Sequence, residues 1–166
     1  EYEYVTTLNC HKGSGSTYTI LRDGSDFYLY SYRISYSFGI IKQLMVKMDN
    51  VIDLDKAEFF GTSNMLSVIY YTMGNKLYGY DFARRKCELL KTFDGYEITL
   101  FLSDILVETS KDFYIALYNP AKPASTGGEI RKYAIVDDVD DIVIKEEKGS
   151  KWEGLCKVKS IAYKPR

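Results

Sequence analysis

Metal binding, nucleophilic catalysis and general acid–base catalysis each require particular residue types at particular spacings, and this chain offers few of them. His11 is the single histidine, in Cys10-His11-Lys12-Gly13. A zinc site draws on three or four ligands and a Ser-His-Asp centre on an orienting acid, so a lone histidine without such partners reads as a loop residue. Cys10, Cys87 and Cys156 lie far apart and form no C-x-x-C pair. They are expected as buried free thiols behaving like small hydrophobes, with a Cys10–Cys156 bridge as the alternative in an exported protein. Gly13-Ser14-Gly15-Ser16-Thr17 lacks the lysine of a phosphate-cradling loop and leads into a strand instead of a helix N-terminus, so it reads as a flexible connection.

The carboxylates are more numerous but poorly arranged. Asp137, Asp138, Asp140 and Asp141 cluster in DDVDD, a composition calcium favours, yet the D-x-D-x-D-G spacing and the closing glutamate are missing. A solvated connection is the expectation there, and the same holds for Asp53, Asp55 and Glu58. Asp81 follows Tyr80 and precedes Ala83-Arg84-Arg85-Lys86, where an aspartate caps a strand end through an Asx-type turn. No catalytic residue, cofactor site or metal site is assigned. Three aromatics near turns are candidate ligand contacts: Trp152, in Lys151-Trp152-Glu153-Gly154, together with Tyr96 and Tyr36. Exposed aromatic rings stack on sugars, although most tyrosines of a strand-rich chain are buried instead.

The elements that must position these residues are strands. With 166 residues the chain is long enough for one domain that buries roughly two-thirds of its unfolded surface. Its 16 Tyr and 8 Phe exceed what a helical protein carries. Lys+Arg 22 against Asp+Glu 23 leaves a formal charge of -1 with both signs scattered, so no basic footprint for nucleic acid exists. No apolar run reaches the length of a membrane span. The chain opens at Glu1 without a methionine and runs directly into strand-like EYEYVTTL, as expected of a processed chain or a piece of a longer protein.

Alternating aromatic and aliphatic segments separated by Asp23-Gly24-Ser25, Gly74-Asn75, Asp94-Gly95 and Thr126-Gly127-Gly128 predict an almost wholly β fold. DNVIDLDKAEFF is the one stretch with helical spacing, and its β-branched residues and close aspartates make even one turn doubtful. The aromatic strands FYLYSYRI, KLYGYDF and EIRKYAIV recur at a period of roughly 50 residues, the range of propeller blades. The expected architecture is therefore about three four-stranded antiparallel blades of an incomplete β-propeller, near residues 17–48, 57–93 and 97–148, plus a lone last strand at 155–164. KLYGYDF carries apolar groups on both faces, as does FYLYSYRI, which a strand covered on both sides requires. A β-sandwich, whose strands alternate more cleanly, is the second choice. Closed propellers use 4 to 8 blades, so the three expected here are read as the C-terminal part of a longer propeller, or as an open wedge pairing with a second copy.

AEFFGTSNMLSVIYYTMGNKLYGYDF, then FDGYEITLFLSD, then DFYIALYNPAKPASTGGEIRKYAI and the closing LCKVKSIAYK together resemble the C-terminal propeller-like region of PKD-like family lipoproteins, exported proteins of Gram-negative gut bacteria. The resemblance runs from about Tyr18 to the last residues and rests on paired tyrosines before a Gly-Asn turn with Tyr-Asp after it. It implies an extracytoplasmic, cell-surface or outer-membrane lipoprotein, attached to the membrane only through a lipid anchor upstream of Glu1, and it brings no catalytic residues. The expected function is a non-enzymatic binding or scaffold module taking a glycan or a protein. The alternative is a polysaccharide-acting hydrolase or lyase, for which the predicted inner strands offer few acids beyond Glu58, Glu97 and Asp104. A purely structural element completing a propeller with upstream blades or a second copy is the third reading.

Overall fold

The computed structural model describes residues 1–8, 16–62, 66–103, 112–134, 139–145 and 151. Within them the chain is all-β: three four-stranded antiparallel sheets, each built from strands consecutive in sequence. The first holds β1 (Glu3–Leu8), β2 (Ser16–Asp23), β3 (Asp26–Ser35) and β4 (Gly39–Met48). The second holds β5 (Phe59–Thr62), β6 (Val68–Met73), β7 (Lys76–Asp81) and β8 (Lys86–Thr92), and the third β9 (Glu97–Ser103), β10 (Asp112–Tyr118), β11 (Gly128–Ala134) and β12 (Val139–Lys145). The doubtful helical stretch supplies a single 3-10 turn, Leu54–Lys56. No helix among the described residues is long and apolar enough to cross a membrane.

Local chemistry sets most of the boundaries. The β2–β3 and β6–β7 hairpins turn at Gly24 and Gly74, both in the left-handed region at φ 61° and 58°, where a side chain would be strained. Asp81 accepts hydrogen bonds from the backbone N–H groups of Ala83 (2.9 Å) and Arg84 (3.0 Å), the expected Asx-type cap of the β7–β8 turn. One boundary departs from expectation. β1 starts the first sheet at Glu3, ahead of the expected edge at residue 17. The expected last strand, 155–164, lies outside the described residues, as do Cys10, His11, Asp104, Asp137, Asp138, Trp152 and Cys156.

The second sheet sits between the other two. On one side Ile69, Tyr71, Tyr78 and Tyr80 pack with Leu8, Ile20, Phe27, Leu29 and Met48 of the first sheet. On the other side Tyr70 and Leu77 pack with Phe113, Ile115, Leu117 and Tyr133 of the third. Alternation along β7 therefore sends Tyr78 and Tyr80 one way and Leu77 the other, and all three are buried. Both faces are apolar because both are covered. Cross-strand ring pairs within a sheet line the two interfaces, Tyr71 stacked on Tyr78 at 5.3 Å and Phe113 on Tyr133 at 4.6 Å, and Tyr70 meets Phe113 of the third sheet at 5.9 Å. Backbone proximity between neighbouring sheets is concentrated at their first strands, β1 beside β5 and β5 beside β9, so the sheets fan outward towards their fourth strands.

Each sheet carries a bulge between its third and fourth strands, at Leu29/Tyr30, Leu77/Tyr78 and Ile130/Arg131. In every case the bulge separates a residue of one face from a residue of the other, so the repeat is one of backbone geometry as well as of aromatic residues.

Candidate functional site

Where the first strands of the second and third sheets meet, a cleft of about 670 Å³ opens whose lining includes Glu58, Asn75, Tyr96, Glu97, Thr99 and Lys151. Three elements deliver these groups. Glu58 immediately precedes β5, where its backbone N–H donates to Thr72 O at 2.9 Å, an extension of the β5–β6 ladder. Asn75 is fixed in the β6–β7 turn by its side-chain amide, which donates to Phe93 O at 3.2 Å. Tyr96 enters β9 from a tight turn in which its N–H donates to Phe93 O at 3.1 Å.

Tyr96 is held from below. The Arg131 guanidinium lies 5.0 Å from its ring centroid, and Arg131 Nε is paired with Glu129 Oε1 at 2.5 Å. Glu129 is buried, so its charge is tolerable only with that partner, and the pair in turn sets the plane on which Tyr96 rests. Lys151 closes the other wall. Its backbone N–H donates to Ala124 O at 2.8 Å, and its ammonium lies 5.3 Å from the Tyr118 ring and 3.9 Å from Glu97 Oε2. The cleft thus offers two half-buried rings, Tyr96 and Phe59, with two exposed carboxylates, an ammonium, an amide and a hydroxyl within a single concavity. That mixture can stack on an apolar ring face while donating to and accepting from surrounding hydroxyls.

A smaller recess of about 220 Å³ between β1 and β5 is spanned by the protein's own ions, because Arg22 pairs there with Glu3 at 2.5 Å and with Asp55 at 3.4 Å. Asp53 likewise pairs with Lys56 at 2.9 Å. These acids behave as surface ion pairs. Cys87 is a buried free thiol whose Sγ lies 2.9 Å from the Tyr71 hydroxyl, and burial first, then that contact, pushes the tyrosine well above its ordinary range.

The structure separates the aromatics that turn proximity had grouped. Tyr96 lines the cleft, whereas Tyr36 stands fully in solvent at the tip of the β3–β4 hairpin and takes no part in it. Trp152 is beyond the described residues, although its neighbour Lys151 is a cleft residue. Glu58 and Glu97, singled out as inner-strand acids, are brought into one cleft. Asn75, Thr99 and Lys151 were missed as site residues. Asn75 signalled only a turn, and nothing in its local sequence indicates that the turn abuts β9. No family model matches this chain, and no curated protein matches it.

Proposed function

We propose that this chain is part of a β-propeller serving as a non-enzymatic, extracytoplasmic binding module, and that the cleft between β5 and β9 takes a glycan. The observation that carries the reading is Tyr96, braced by the Glu129–Arg131 pair and ringed by groups able to bond hydroxyls. The fanned, face-to-face packing of three sequence-consecutive sheets supports the propeller. The cell-surface lipoprotein address rests on the sequence resemblance alone.

Calorimetric titration against a panel of neutral and acidic oligosaccharides tests the binding. Tyr96→Ala is expected to weaken the best ligand by about tenfold or more, the loss of roughly 1.4 kcal/mol of stacking. Wild-type protein that binds none of the panel, or a variant that binds as well as wild type, would sink the glycan reading.

One observation favours the hydrolase or lyase alternative: Glu58 and Glu97 share the cleft. A glycosidase needs two carboxyl groups roughly 5–9.5 Å apart, one of them made a general acid by its surroundings. Both carboxylates here are exposed, and Glu97 faces Lys151. Product analysis after incubation decides the matter. Cleavage that disappears in both Glu58→Gln and Glu97→Gln would replace the binding function with a catalytic one.

A further inference from the structure

The first sheet repeats the second at an offset of fifty residues, and among the described residues no other sheet packs on one of its faces. The β2–β3 pair Leu21↔Tyr28 corresponds to the β6–β7 pair Tyr71↔Tyr78, and Tyr30 corresponds to Tyr80. In the second sheet that face receives the apolar face of the sheet immediately before it in the chain, Ile20, Phe27 and Leu29 included. In the third sheet the corresponding face, with Phe113, Ile115 and Tyr133, again receives the sheet immediately before it, through Tyr70 and Leu77. The covering sheet lies immediately upstream in both interfaces.

The same face of the first sheet carries an apolar strip along β3, with Lys47 opposite Tyr28 and Lys42 opposite Tyr32. From Leu21, Tyr28 and Tyr30 it runs through Tyr32 and Leu44 to the cross-strand pair Ile34↔Ile40, and on to the hairpin tip at Tyr36 and Phe38. Exposure reaches 82% at Ile34, 109% at Tyr36, 80% at Phe38 and 75% at Ile40. Of the ten large apolar side chains standing exposed among the described residues, eight fall within residues 2–45. Among the described residues the cover is local and confined to the end of the strip where Leu21 and Tyr30 are each 8% exposed. Tyr2 sets its ring edge-on to Tyr28 and Tyr30, and the Lys42 ammonium lies 4.3 Å from the Tyr30 ring. Contiguous apolar surface of this kind marks an interface.

We infer that the outer face of the first sheet is the docking surface for a further four-stranded sheet of the same repeat, supplied by the same polypeptide ahead of Glu1. That sheet presents an apolar face like that of Ile20, Phe27 and Leu29. It packs over Tyr28, Tyr30 and Tyr32 and extends along the β3–β4 hairpin. The inference rests on the propeller reading and fixes the direction in which the stack of sheets grows.

Hydroxyl-radical footprinting read by mass spectrometry tests it on the full encoded polypeptide beside residues 1–166. Ile34, Ile40 and Leu44 are expected to be modified at least tenfold more slowly in the full-length monomer, at a rate independent of protein concentration. As a second measurement, Leu44→Lys lowers the melting temperature of the full-length protein by about 4 °C or more and leaves that of residues 1–166 unchanged. Equal modification in both proteins overturns the inference. Protection that grows with concentration overturns it in favour of a second copy, and protection only on lipid vesicles overturns it in favour of a membrane. The two readings fail separately. A full-length protein that scatters as an open string of sheets yet protects this face refutes ring closure and upholds the docking surface. A compact one that leaves the face reactive refutes the docking surface alone.

Discussion

Two equivalent tyrosine faces meet different fates in this molecule. Tyr78 and Tyr80 on β7 are enclosed beneath the first sheet, while their counterparts Tyr28 and Tyr30 on β3 meet no other sheet among the described residues and are covered by Tyr2 and Lys42 instead, enough to leave Tyr28 half-buried and Tyr30 buried. The side chains are the same and the hairpin register is the same. What differs is whether the apolar face of another sheet lies on top. A tyrosine on a strand is therefore neither a core residue nor a surface residue by nature. Its ring buries well and its hydroxyl tolerates water, so one repeat can be used in both settings.

The difference predicts unequal costs for one substitution. Tyr78→Ala removes a buried ring stacked on Tyr71 and is expected to cost about 3–5 kcal/mol, whereas Tyr28→Ala costs less than about 1 kcal/mol. Urea unfolding of the two variants measures both. Comparable losses would mean that the first sheet's outer face is as structural as the interior one.

Alkaline titration sharpens the contrast. Burial pushes the Tyr70 phenol up to about 12, while the hydrogen bond with Tyr2, ahead of burial, pushes Tyr30 up to about 12. A folded-state value above the unfolded value of about 10 favours the native protein below pH 10, and that advantage disappears as pH rises from 10 through 12. For Tyr70 the contribution is on the order of 2 kcal/mol. Ultraviolet difference titration should show Tyr2→Phe restoring earlier ionisation of Tyr30 without moving Tyr70. A response of both tyrosines to that substitution would show that the two faces are not independent.

The smallest effect concerns hydroxyls within the covered interface. The Tyr71 hydroxyl donates to Ile52 O at 2.7 Å and contacts Cys87 Sγ, so Tyr71→Phe is expected to cost about 1 kcal/mol. The buried Tyr80 hydroxyl lies towards the Asp49 backbone without reaching hydrogen-bond geometry, and Tyr80→Phe is expected to change stability by less than about 0.5 kcal/mol. Thermal unfolding ranks the pair, and the reverse order would refute the assignment of partners.

Much of the fold was legible because strand formation depends on short-range features. β2 and β3 coincide with STYTILRD and DFYLYSYRIS, whose ends carry Asp-Gly-Ser turn chemistry. The fifty-residue period was legible for the same reason. The place of β1 was not, because residues 9–15 separate it from β2 and nothing local assigns its pairing. The bulges also escaped notice, since one extra residue in the fourth strand leaves no compositional mark. For the site, Tyr96 and the acids Glu58 and Glu97 were readable as types, but Asn75, Thr99 and Lys151 join them only through the meeting of different sheets.

By itself the sequence determined that the chain forms strands, where the hairpins turn, and that the aromatic strands have two apolar faces, because alternation and turn chemistry act over a few residues. Only the tertiary structure decided which of those faces is covered and which groups share a cleft. Those outcomes depend on how one sheet lies against the next, and the contacts that govern that packing join residues distant in the chain.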